Sequence, residues 1–156
     1  MSILFVLGRI AFVLIFILSG TQKLMDIPGT AAAIESKVVL PEFTAAYTPQ
    51  LEATTGMTTP TMLAILAGVV EIGAALMIAA NIGTRIGAVL LILFTIITTY
   101  YFHAFWTMTG ADRDANMINA LKNLSLVGGL LVFFVLGSWR PSAYRYDDPV
   151  TERLSG

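Results

Sequence analysis

Four long runs of apolar residues, separated by shorter polar segments, dominate the chain. They cover about 3–24, 61–80, 84–105 and 116–136. Each approaches the ~20 residues that a helix needs to cross a bilayer. Hydrocarbon cannot satisfy open backbone groups, so these spans must be helical. The pattern predicts an all-α, polytopic membrane protein, a four-transmembrane-helix bundle. Residues 1–138 form the expected membrane domain and 139–156 a cytoplasmic tail. The N-terminus has no basic segment and no small-residue cleavage site, so the first run reads as a retained span.

The connection over 25–60 is long enough to require structure of its own. Thr30 to Val39 is expected to form a short helix on the membrane surface, interrupted by Pro41. Tyr100, Tyr101, Phe105 and Trp106 gather at one end of the third span, and Trp139 and Tyr144 follow the fourth. Such rings favour the membrane interface. Small residues in every span, Gly8, Ser19 and Gly20, Gly68, Gly73, Ala74 and Ala75, Gly83, Gly87 and Ala88, and Gly128 and Gly129, predict close helix packing. The segment Arg9 to Ile15 resembles Arg85 to Leu91. Duplication of a two-helix hairpin and chance likeness between Leu/Ile-rich helices both account for that.

Composition sharpens the class. Hydrophobic residues make up 56% and charged residues 12%, about half the charge of an ordinary soluble domain. The net charge of −1, with no basic run, carries no nucleic-acid signature, and no nucleic-acid partner is expected. The expected environment is the lipid bilayer. With no cysteine, the chain cannot supply disulfide chemistry, iron–sulfur clusters or thioether-linked haem. A single histidine cannot complete a zinc site or a pair of haem ligands. We therefore expect no metal centre and no covalently bound cofactor.

Charge in the flanks sets the expected orientation. Arg85 lies in the short second connection, and Arg140, Arg145 and Arg153 lie in the tail. The first connection sets Asp26, Glu35, Glu42 and Glu52 against Lys37, and Asp112, Arg113 and Asp114 precede the fourth span. Both termini should face the cytoplasm, with the larger loops outside.

The most informative residues are ionisable groups within the spans. A charge in hydrocarbon costs at least ~2.5–3.5 kcal/mol. Lys122 lies in the fourth span and Glu71 near the middle of the second. His103 and Lys23 lie near the outer ends of the third and first, and Gln22 adjoins Lys23. Asn119 and Asn123 bracket Lys122, so all three are expected on one side of the helix. The functional reading gathers Lys23, Gln22, Glu71, His103, Asn119, Lys122 and Asn123 into an outer-half ligand pocket, with Glu71 and His103 as the candidate proton-exchanging, catalytic groups. The competing reading makes Glu71 and Lys122 an internal ion pair that only holds two helices in register. It leaves His103 at the interface and lets Lys23, Arg9 and Arg85 snorkel to water.

Four pieces, in order, resemble the DoxX family of membrane proteins. The first span ends Phe16-Ile17-Leu18-Ser19-Gly20-Thr21-Gln22-Lys23-Leu24. The second holds Glu71-Ile72-Gly73-Ala74-Ala75-Leu76, and the third opens Gly83-Thr84-Arg85-Ile86-Gly87-Ala88 before His103. The fourth holds Asn119-Ala120-Leu121-Lys122-Asn123-Leu124. The resemblance covers about Leu4 to Leu136. It implies a four-helix protein of a bacterial or archaeal cytoplasmic membrane, associated with redox systems. Some relatives belong to thiosulfate:quinone oxidoreductases and others partner oxidative-stress proteins. The methylamine-utilisation branch handles disulfides through cysteines, which this chain lacks, so that activity does not carry over.

Three functions follow as expectations. In the first, a redox-associated subunit of a larger oxidoreductase or respiratory assembly binds a quinone, or a lipid, in the outer-half pocket. Lys122 and Lys23 donate to the carbonyl oxygens and the asparagines orient the ring. No electron carrier is visible, so electrons come from a partner chain or soluble donor, and the chain is at most a subunit of an enzyme. In the second, the chain is a non-catalytic accessory or scaffold subunit of a membrane complex, or a homo-oligomer. In the third it is a small anion or weak-acid transporter.

Overall fold

The computed structural model describes residues 3–137. Trp139, Arg140, Tyr144, Arg145 and Arg153, and with them the expected tail, lie outside the described residues. Six helices follow one another: α1 (Ile3–Met25), α2 (Ile27–Lys37), α3 (Thr48–Thr55), α4 (Thr59–Ala80), α5 (Thr84–Phe102) and α6 (Gly110–Leu136). Short 3-10 turns cover Glu42–Ala46 and Phe105–Thr107. No strand occurs among the described residues. α1, α4, α5 and α6 are long and apolar enough to cross a membrane, so the protein is an all-α polytopic membrane bundle.

α6 begins about six residues ahead of its apolar stretch. At ~1.5 Å per residue it is about 40 Å long, more than the ~30 Å hydrocarbon layer. Its first turns, with Asp112, Arg113 and Asp114, therefore suit the headgroup zone. α5 stops at Phe102, and the His103 N–H closes its last turn on the Thr99 carbonyl at 3.0 Å.

α1 packs along α4, α4 along α5, and α5 along α6. Backbones approach most closely where side chains are absent. A Cβ on Gly20 would lie 2.7 Å from Ile72 Cγ1 and 3.0 Å from the Gly68 carbonyl, so α1 and α4 meet glycine to glycine. On α5, Gly87 faces the Ala74 carbonyl of α4. The turn between these helices needs left-handed backbone at Asn81 (φ 60°) and Gly83 (φ 63°), residue types that tolerate it. Val13, Phe16, Ala74, Ala75, Ile78, Ala88, Leu91 and Leu130 fill the core towards this turn. There α1 meets α6, with the Phe12 and Phe133 rings 5.1 Å apart. Arg9, expected to snorkel, is instead 2% exposed, its guanidinium 4.7 Å from the Phe5 ring centroid.

The opposite end carries the long connection. α2 starts at Ile27 rather than Thr30, because the Asp26 side chain caps it by accepting from the Gly29 N–H at 3.0 Å and Pro28 suits a first turn. The helix does not lie apart on the surface. Ala31 and Ile34 are buried against Ala64 of α4, with Leu63 and Phe102 alongside. The Tyr101 hydroxyl donates to the Val39 carbonyl at 3.2 Å and fixes the segment after it. One Glu52 carboxylate oxygen accepts from both the backbone N–H and the hydroxyl of Thr59 at 2.7 Å, tying α3 to the start of α4. Those bonds hold the Glu52 carboxyl below the usual range.

The close α4–α5 approach generates a stability prediction. Gly87→Ala puts a Cβ 2.7 Å from a backbone carbonyl that cannot rotate away, an overpacking cost of about 1–3 kcal/mol. Gly73→Ala meets nothing within 4 Å and should leave stability unchanged or slightly raised. Thermal unfolding of both variants in detergent micelles checks the contrast, and equal melting temperatures would refute the packing account.

Candidate functional site

In an α-helix the Cα–Cβ bond tilts towards the helix N-terminus. Lys23, near the C-terminal end of α1, is therefore directed back into the bundle rather than out past the helix end. Its Nζ donates to Ser19 Oγ at 2.6 Å, one turn earlier, and to Glu71 Oε2 of α4 at 2.8 Å. The Phe94 ring centroid of α5 lies 5.5 Å from the same nitrogen. Glu71 is 3% exposed and Lys23 25%. Two of the three ammonium N–H donors are engaged, which leaves one for a ligand.

That nitrogen lies at the wall of a cavity of about 1120 Å³ between the α1–α4 pair and the α5–α6 pair, flanked by α2. The walls are mainly apolar, with Phe16, Leu63, Val70, Leu90 and Phe102 among them. Leu66, Leu93 and Ile97 also line it while more than half exposed on the bundle surface. One side of the cavity is thus walled by residues that meet the apolar exterior. Polar groups fall into two sets. Ser19, Lys23 and Glu71 come from α1 and α4, and Thr95, Thr98 and Asn123 from α5 and α6.

The residues singled out in the sequence divide accordingly. Lys23, Gln22, Glu71, His103 and Asn123 line this cavity. The Asn123 Nδ2 donates to Thr99 Oγ1 at 2.9 Å, which in turn donates to the Thr95 carbonyl at 2.6 Å. His103 Nδ1 lies 3.1 Å from Asn116 Oδ1, so its ring is oriented by α6. Gln22 is exposed at the α2 end.

Lys122 and Asn119 are not in the lining. Lys122 is exposed, and the internal ion pair of Glu71 is made with Lys23. The reason is rotational. Successive helical residues are about 100° apart, so directing Asn123 inwards turns Lys122 out. Lys122 also leans towards the N-terminal, charged end of α6, the direction in which a lysine snorkels to headgroups. Lys23, expected equally as a snorkeler, does the reverse because its helix runs the other way.

Sequence reasoning took Ser19 only as a small packing residue of the first span and passed over Thr95. Ser19 is readable in retrospect as the residue four before Lys23, on the same face. Thr95 continues the buried stripe of Gly87, Ala88 and Leu91 on α5. Among the described residues no three His, Asp or Glu side chains gather as a metal would need.

With this geometry in hand, comparison with known proteins places the chain. The DoxX family model matches residues 4–104, well over half of the sequence, and the chain belongs to the DoxX family. Inner membrane protein YphA of Escherichia coli (strain K12) is 36% identical over 135 residues, which cover 86% of this chain and 84% of that protein. No solved structure matches.

The pair generates its own prediction. Lys23→Met leaves Glu71 buried without its counter-charge and should destabilise the bundle by about 3–5 kcal/mol. Adding Glu71→Leu to that variant should recover most of the loss. Lys122→Met should be neutral. A chemical-unfolding series in mixed micelles measures all three, and a Lys23→Met variant as stable as wild type would contradict the paired burial.

Proposed function

We propose that this DoxX-family chain is a redox-associated subunit of a bacterial inner-membrane assembly, and that its cavity holds a quinone head group. The observation that carries the reading is the Lys23–Glu71 pair on the wall of an apolar cavity. The two charges balance, so the cavity offers a hydrogen-bond donor without a net positive field. An anionic phosphate or carboxylate gains little there. A neutral ring with carbonyl oxygens and an apolar chain fits, with Lys23 donating its free N–H to one carbonyl and Phe94 beside the ring. Asp26 and His103 at the α2 end are the groups placed to exchange protons with water. The same balance weakens the anion-transport reading, since Lys122 is exposed and Lys23 is already engaged.

An accessory role without ligand turnover draws on a different observation. Val39, Phe43, Tyr47 and Leu51 are all more than half exposed along the connection between α2 and α4, an apolar face suited to a larger partner subunit. The relative named as an inner membrane protein supports the membrane, and the flanking charges support cytoplasmic termini.

Titration of a short-chain quinone into the protein in nanodiscs tests the main reading. Wild type should bind saturably. Lys23→Met, studied at a temperature where it remains helical, should bind about 10- to 100-fold more weakly, the worth of a charged hydrogen bond. Lys122→Met should bind as wild type. Lack of saturable binding in wild type would leave only the accessory reading.

Orientation has a clean test because the chain has no native cysteine. Thr44→Cys and Ala111→Cys should react with an impermeant maleimide from the periplasmic side of intact cells. Ile82→Cys should react only after permeabilisation. The reversed pattern would overturn the assignment.

A further inference from the structure

The tight contact between α4 and α5 lies at Gly87, which faces the Ala74 carbonyl. Residues three and four apart share a helix face. The contact would therefore continue along Val70 and Ala67 of α4 and along Phe94, Thr98 and Tyr101 of α5. All five line the cavity instead. The helices are bridged again at the α2 end, where Leu63 and Phe102 pack against Ala31, Ile34 and Ala64. Between these two contacts the α4–α5 seam is a window.

The edge of that window meets lipid. Leu66 of α4 and Leu93 and Ile97 of α5 line the cavity, and they are 57%, 53% and 56% exposed. The amine stands directly behind it, since the Phe94 ring centroid lies 5.5 Å from Lys23 Nζ. The approach at the α2 end has a different edge, with the exposed polar side chains of Gln22 and Asp26. An apolar chain laid across those groups would strip water from them. Across the leucine edge it exchanges one hydrocarbon contact for another.

We propose that the ligand enters sideways from the bilayer through the α4–α5 window, and that its apolar chain stays there, against Leu66, Leu93 and Ile97, while its head reaches Lys23. This rests on the quinone reading and adds to it a long isoprenoid-type chain and a route that avoids water. Lipid tails are as apolar as leucine, so the chain gains little affinity by leaving them. What the window imposes is steric: the chain must have room.

The test puts a bulky ring in that room. Quinones with and without a two-isoprene chain are titrated into the full chain in nanodiscs, with concentrations counted per lipid. Wild type should bind the two alike. Leu66→Trp and Leu93→Trp should each weaken the chain-bearing quinone by about 10-fold or more, the scale of an overpacking cost, and leave the bare head group unchanged. Val132→Trp, at an exposed position outside the cavity, should change neither. A diazirine at the chain's end should label α4 and α5 at the window, and excess bare quinone should suppress that labelling. If the window tryptophans act on both quinones equally or on neither, the window is wrong and the quinone reading stands. The same holds if bare quinone leaves the labelling intact, as for a lipid chain lodged there by itself. If wild type binds neither quinone, both readings fall.

Discussion

An amine and a carboxylate, 2.8 Å apart between α1 and α4, impose the main constraint on this protein. Neither charge is tolerable alone in hydrocarbon. Together, with Ser19 accepting a second hydrogen bond from the amine, they require α1 and α4 to keep one register and one rotation about their axes. The glycine contacts of Gly20 with Gly68 make the approach close enough for the lysine to reach. Packing and electrostatics thus specify the same arrangement, and the cavity exists because α5 and α6 meet this pair tightly only towards the α4–α5 turn, where Phe12, Phe133 and Leu130 fill the space.

The spans were legible because hydrophobicity is a one-dimensional signal. Four apolar runs of the right length leave few alternatives to four helices, and the structure has them. Rotation about each helix axis is not written so plainly. Lys122 and Lys23 look equivalent in the sequence, each a cation inside an apolar run. Their fates differ because α1 and α6 run in opposite directions through the bundle, so the backward tilt of the side chain buries one lysine and releases the other. Asn119 and Asn123 share a helical face by spacing, yet only Asn123 reaches the cavity, since their side chains sit about 6 Å apart along the axis. Thr95 carries no charge and reads as a self-satisfied helical hydroxyl. Only the coordinates reveal that its Oγ1 has no hydrogen-bond partner among the described residues.

α2 shows a subtler limit. The apolar positions Ile27, Ala31, Ile34 and Val38 recur at helical spacing, which fits a helix on lipid as well as a helix on protein. What decides is Ala64, small enough to let α2 settle on α4, together with Phe102 at its flank. The membrane surface and the top of the bundle compete for the same apolar stripe, and the bundle wins by offering shaped contacts.

The Lys23–Glu71 pair has a consequence for bioenergetics. A proton moving from one member to the other leaves their sum at zero, and an uncharged guest adds nothing to it. For the neutral guest proposed above, the transmembrane voltage, which acts at about 2.3 kcal/mol per elementary charge for every 100 mV, would do no net work on filling or emptying the chamber. Under that proposal, occupancy in an energised cell would follow the guest's concentration in the lipid, whether the membrane is polarised or collapsed.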